Sequence, residues 1–225
     1  MNNSFKLGKE IDLLKNYPKS KRDLNSRIKS KSDAVREVAR KFDKDFFDGE
    51  REYGYGGFNY HPKFWTEVVK DFQKYWGLNS KSKVLDVGCG KGFMIYDLIK
   101  LIPGIDARGI DISEYAIKNC KNEVKENLLV GNAKNLNFDD DEFDLVISIN
   151  SIHNLDRKDC GKALREIQRV SKKNSFITVD AYRNNEEKKR MDAWNLTAKT
   201  IMSVDDWKLF FKENEYKGDF FWFIP

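Results

Sequence analysis

Long apolar runs are missing from this chain. None approaches the roughly 18 residues that a membrane-spanning helix requires. The start, Met1-Asn2-Asn3-Ser4-Phe5-Lys6, has no apolar segment of the kind a secretory signal carries. The expectation is a cytoplasmic protein with no membrane partner. Cysteine is scarce: Cys89, Cys120 and Cys160 are odd in number and far apart. That excludes a disulfide framework and leaves no metal-ligand spacing, so no metal is expected. Histidine is scarcer still, with only His61 and His153. Internal repeats and low-complexity tracts are absent. What remains is ordinary: 225 residues with 40% hydrophobic and 13% aromatic side chains, enough for one sizeable core with an appendage.

Charge is unevenly placed. Residues 1–44 carry 13 Lys/Arg against 6 Asp/Glu, and the rest of the chain carries 28 against 30. A basic arm thus precedes a nearly neutral body. Such an arm suits nucleic acid or an anionic surface. Yet Lys outnumbers Arg 30 to 11 and Asn reaches 19, whereas phosphate recognition favours the arginine fork. The arm reads as a solvated helical extension, with no nucleic-acid partner expected.

The most informative stretch is Val84-Leu85-Asp86-Val87-Gly88-Cys89-Gly90-Lys91-Gly92. A β-favouring apolar run enters alternating glycines, and Phe93, Met94, Ile95, Leu98 and Ile99 then keep helical spacing. A buried strand turning sharply into a helix through glycines brings free N–H groups close to a ligand. Asp111 follows in Gly109-Ile110-Asp111-Ile112-Ser113, where an acid can accept hydrogen bonds from both ribose hydroxyls. The dinucleotide fingerprint would need a third small residue where Phe93 stands. Asp86 would also be awkward beside a pyrophosphate and suits a ligand with an ammonium group.

With VGNAKNL and FDLVISINSIHNL following in order, residues 80–180 resemble the class I S-adenosylmethionine-dependent methyltransferases. The resemblance implies S-adenosyl-L-methionine as cofactor and S-adenosyl-L-homocysteine as product. It implies cofactor contacts from Asp86, Gly88, Cys89, Gly90, Gly92, Asp111, Ile112, Asn132, Ala133 and Asn150. Cys89 is read as a small turn residue rather than a nucleophile. Ser148-Ile149-Asn150-Ser151-Ile152-His153-Asn154-Leu155 is similar to the S-x-x-V-L-H-H-L stretch of ubiquinone-type members, with Asn154 in place of the second histidine. Asn150 and His153 therefore stand as catalytic candidates, His153 either as a base or as a substrate contact. The Asn/Asp-Pro-Pro-Tyr/Phe signature of amino-group methylation on adenine and glutamine is missing, and so is the cysteine that cytosine-C5 enzymes use.

Strand patterns at 83–87, 106–111, 127–131, 143–149, 175–181 and 218–224 alternate with helical ones at 62–75, 92–101, 114–124, 158–171 and 204–214. This predicts an α/β fold, a Rossmann-like, mostly parallel sheet with helices on both faces. Helices are also expected at 5–16 and 31–47. The C-terminal strand pair of the family looks shortened, its seventh strand lost or replaced from within 182–203. The expected division is 1–61, a basic helical arm with an aromatic and glycine-rich lid, and 62–225, the cofactor-binding domain. Tyr53, Tyr55, Tyr60, Trp65 and Tyr182 are the candidate lid and substrate residues.

The function expected is methyl transfer to an O or N atom of a small-molecule metabolite. The alternatives are methylation of an RNA or protein docked by the arm, and a non-catalytic regulatory subunit. The sequence leaves the oligomeric state open, a homodimer included.

Overall fold

A computed structural model of the chain describes residues 5–18, 32–56 and 59–225. The arm at 1–4 and 19–31, and Gly57 and Phe58 of the glycine-rich loop, lie outside the described residues.

Alternation of strands and helices builds one sheet. Strands β1 (Lys83–Val87), β2 (Asp106–Asp111), β3 (Leu128–Val130), β4 (Phe143–Ile149), β5 (Ser171–Tyr182) and β6 (Met202–Ser203) lie in the order β3-β2-β1-β4-β5-β6. The last strand, β7 (Asp219–Phe223), pairs with β5. Every named pair is parallel. Successive core residues alternate between the two faces, as the period of a strand requires. Leu85, Val87, Val146 and Ile177 enter one apolar cluster. Val84, Leu145, Ile147 and Phe176 enter the other. Each fully buried side chain of this size contributes about 1.5–3 kcal/mol.

Helices cover both faces. We number them α1 (Asp33–Ala39), α2 (Lys44–Asp48), α3 (Pro62–Trp76), α4 (Phe93–Leu101), α5 (Glu114–Lys118), α6 (Arg157–Val170), α7 (Asn185–Trp194) and α8 (Val204–Glu213). Their ends follow capping chemistry. The His61 ring accepts from Lys63 N–H at 3.1 Å, Pro62 opens α3, and Gly77 closes it in the left-handed conformation.

The structure departs from the sequence reading near both ends. Residues 5–16 are not helical. Lys9–Ile11 run parallel to β7, with Phe220 N–H donating to Lys9 C=O and Ile11 N–H to Phe220 C=O, both at 3.0 Å. The N-terminal segment thereby takes the outermost place beside β7, and the 182–203 region supplies only the two-residue β6 and helix α7. The helix expected over 31–47 is two short helices, α1 and α2, broken at Phe42, whose φ is 50°. The one expected over 114–124 stops at Lys118 and resumes as a 3-10 turn, Asn122–Asn127. Among the described residues no helix is long and apolar enough to cross a membrane.

Candidate functional site

The chain leaves β1 toward β2 and β3 on one side, then returns to β4 on the other. A crevice forms at that reversal, beyond the carboxyl ends of the strands. It holds a cavity of about 420 Å³, within the size range of small-molecule sites. Gly88, Gly90, Asp111, Ile112, Asn132, Ala133 and Asn150 all line it. The sequence reading assigned every one of these to the cofactor.

Backbone chemistry fixes this floor. Gly88 has φ 88°, and a Cβ there would run into the Ser151 side chain, so only glycine lets the turn after β1 pass beneath the turn after β4. Asp111 is tied down by Gly90 N–H at 2.7 Å and Ser113 N–H at 2.9 Å. Burial raises its carboxyl above the ordinary range, and those backbone N–H groups oppose the rise. A carboxylate has about four lone-pair sites, so acceptor capacity remains toward the cavity. Ile112 is 55% exposed there, an apolar face of the kind that packs on a flat ring. Asn132 folds back to accept from Lys134 N–H at 3.2 Å. Asn150 takes φ 50°, rare for a non-glycine residue. Its conformation is held by Thr178, whose hydroxyl donates to Asn150 Oδ1 at 2.9 Å and accepts from Asn150 N–H at 3.0 Å.

Three other expected cofactor residues do not line the cavity. Asp86 is buried, and its carboxyl is pushed up to about 8, by burial first and then by the charge of Asp111. Burial also pushes the Cys89 thiol well up, which keeps it protonated and unreactive. Gly92 caps α4 in the left-handed conformation.

His153 is turned away from the cavity. It is 4% exposed, and its Nδ1 accepts from Asp180 N–H at 3.0 Å. Nε2 faces Asp180 Oδ1 at 3.8 Å, and burial lowers the imidazole pKa against the opposing carboxylate. Its carbonyl accepts from Lys199 N–H at 3.0 Å and Thr200 N–H at 2.9 Å. The residue stitches the turn after β4 to β5 and to the loop after α7. It is not among the residues that line the cavity.

None of the expected lid residues lines the cavity. Tyr60 donates to Asp97 at 2.7 Å and packs on Tyr96, and burial raises its phenol to about 12. Trp65 packs edge-on to Tyr17 at 5.0 Å. Tyr55 accepts from Leu196 N–H at 2.9 Å and stacks near Trp194. Tyr182 sits under Lys188. Tyr53 is half-buried and lines no part of the cavity.

The cover is instead an earlier segment, and the sequence reading missed it. Arg40, Phe42, Phe46 and Phe47 line the cavity. Phe47 lies against Gly90. Asp48 clamps the segment down, pairing with buried Lys91 of the glycine loop and accepting from the Tyr115 hydroxyl at 2.8 Å. Asn154 and Lys199 also line the cavity. Asn154 stood in the histidine motif and Arg40 in the basic arm, but neither position announced the cavity.

A family model described as a methyltransferase domain matches residues 78–217. Demethylmenaquinone methyltransferase of Staphylococcus carnosus is 35% identical over 51% of this chain and 47% of its own length. Norajmaline N-methyltransferase of Rauvolfia serpentina is 33% identical over 44% of this chain and 35% of its own. The chain thus spans half or less of these two relatives. Among solved structures, the YcgJ protein of Bacillus subtilis superposes with a TM-score of 0.53 at 21% identity, covering 65% of this chain and 66% of that one.

Proposed function

We propose, from the premise that the chain belongs to the class I S-adenosylmethionine-dependent methyltransferases, that it methylates an O or N atom of a small molecule. The observation that carries this reading is Asp111, held by the glycine loop and presented to that cavity. The residues present fit the group: a glycine turn too tight for a Cβ, a diol-accepting carboxylate and an apolar ring face. When bound, S-adenosylmethionine supplies a methyl group already activated on a sulfonium. Asp111 accepts from the ribose hydroxyls, Ile112 packs on the adenine, and Asn132 and Ala133 border its edge. Asn150, rigid beside the glycine turn, aligns the reacting atoms, and alignment is worth much of the barrier in such a displacement. Both relatives above are named for small-molecule methylation, which favours an acceptor of that class. Arg40 and the phenylalanines of 42–47 exclude water from above.

The test is calorimetry with S-adenosylhomocysteine and NAD. The expected result is binding of the first alone. Asp111→Ala should weaken it by about 1–3 kcal/mol, the range for losing a charge-assisted hydrogen bond. Unchanged affinity in that variant sinks the ribose assignment. Labelled S-adenosylmethionine in a metabolite extract then identifies the mass that gains a methyl group.

A further inference from the structure

The cavity is lined by more than the residues assigned to the cofactor, and the chemistry of the remaining lining is specific. Arg40 closes α1, and its Nε donates to Thr197 C=O at 3.3 Å. No carboxylate pairs with its guanidinium among the described residues. Lys199, two residues past Thr197, lines the same wall with no acidic partner among the described residues. The loop holding Lys199 is fixed from below: its N–H reaches His153 C=O, and the Thr200 hydroxyl donates to Leu155 C=O at 2.8 Å. The two acids nearby are committed elsewhere. Asp159 pairs with Lys134 and Lys162, and the Asp156 side chain caps α6 through Asp159 N–H. Asn154 lines the cavity too, and its Nδ2 donates to Asn150 C=O at 3.5 Å. Its Oδ1 is buried and has no hydrogen-bond partner among the described residues. A buried orphan acceptor is costly unless a donor arrives.

We propose that this wall is the acceptor subsite, and that it selects a small molecule with an anionic end and a protic nucleophile, such as an amino or hydroxy carboxylic acid. The proposal rests on the methyl-transfer reading. Arg40 and Lys199 hold the acceptor's carboxylate, and the guanidinium edge left by the Thr197 bond matches that group's geometry. Asn154 Oδ1 accepts from the nucleophile's N–H or O–H and turns it toward Asn150. The buried His153 acts as a positioning residue: it precedes Asn154 in the turn after β4, and its carbonyl holds the loop that carries Lys199.

Arg40 could also serve the carboxylate of the cofactor's methionine, so the test separates the two sources. The protein is saturated with S-adenosylhomocysteine and titrated with 4-hydroxybenzoate, 4-aminobenzoate and the corresponding carboxamides. The expected result is carboxylates bound at least about tenfold tighter than amides, the scale of one charge-assisted hydrogen bond. Lys199→Gln and Arg40→Gln should each reduce carboxylate affinity about tenfold and leave amide affinity unchanged. Lys199 is exposed, so its replacement does not endanger folding. Equal binding of acids and amides overturns the proposal. So does an Arg40→Gln effect confined to S-adenosylhomocysteine together with a silent Lys199→Gln. If the unaltered protein does not bind S-adenosylhomocysteine at all, the methyl-transfer reading falls and takes the subsite with it.

Discussion

Asp86 is a carboxyl group placed where ionisation is costly. It is buried, lies near Asp111, and forms no ion pair among the described residues. Its pKa rises from 3.8 to about 8. Between those values the unfolded chain has released the proton and the folded chain keeps it. Stability must therefore fall as pH rises through this window, by up to about 1.4 kcal/mol per unit. Asp86→Asn mimics the protonated form. Its melting temperature should decline less between pH 5 and 8 than that of the unaltered protein, and should equal or exceed it at pH 8. Parallel pH profiles would refute this. His153 has the opposite sign. Its pKa lies below the ordinary 6.5, so its contribution is present above that value and is lost as pH falls below it. His153→Ala leaves the Asp180 N–H without its acceptor, at a cost of about 1–3 kcal/mol. We expect melting temperature and activity to fall together, with no pH-rate limb assignable to this imidazole. A variant that lost turnover with its melting temperature intact would restore His153 as a direct substrate contact.

At the scale of elements, α2 carries the most function for its length. It has five residues, too few to persist alone. Asp48 gives it an anchor on both the glycine loop and α5. Asp48→Ala removes that ion pair and the Tyr115 bond together. Limited proteolysis should then cut within 40–50 faster than in the unaltered chain, and S-adenosylhomocysteine should protect both. Equal cutting rates would mean that the phenylalanines alone hold the cover. This element also marks where the sequence stopped being legible. Gly88 and Asp111 could be read because backbone geometry admits few residues at such a turn and strand end. Phe42, Phe46 and Phe47 could not. A phenylalanine facing a cofactor cavity and one facing a core obey the same periodicity. The difference lies in Lys91 and Tyr115, more than 40 positions further along. Tyr53, Tyr55 and Tyr60, which do not line the cavity, show the same limit: aromatic and glycine-rich composition describes a loop, not its destination.

At the scale of the whole molecule, the N-terminal segment joins both faces of the sheet. Leu7 packs on the cluster that contains Trp207 and Trp222, and Leu13 is buried in the one that contains Val68 and Phe72. Between them Lys9–Ile11 hydrogen-bond to β7, and Lys9 N–H donates to Asp219 at 2.7 Å. The pattern Leu7, Ile11, Leu13, Leu14 suits a helix or a strand. The unpaired edge of β7 decides in favour of extended chain, because its N–H and C=O groups need partners. Gly8 passes so close to Gly218 that a Cβ would meet the Gly218 carbonyl. Two consequences follow from that contact. Gly8→Val should push the segment off β7 and lower the melting temperature, while Lys6→Val, two positions earlier, should not. Removing residues 1–17 should bare a strand of four consecutive aromatic residues, Phe220 to Phe223, on an open sheet edge. Such an edge recruits other chains. The truncated protein should therefore associate in proportion to concentration in sedimentation runs, under conditions where the full chain keeps a constant sedimentation coefficient. A truncated protein that sediments like the full chain and melts at the same temperature would show that β7 does not depend on this strand.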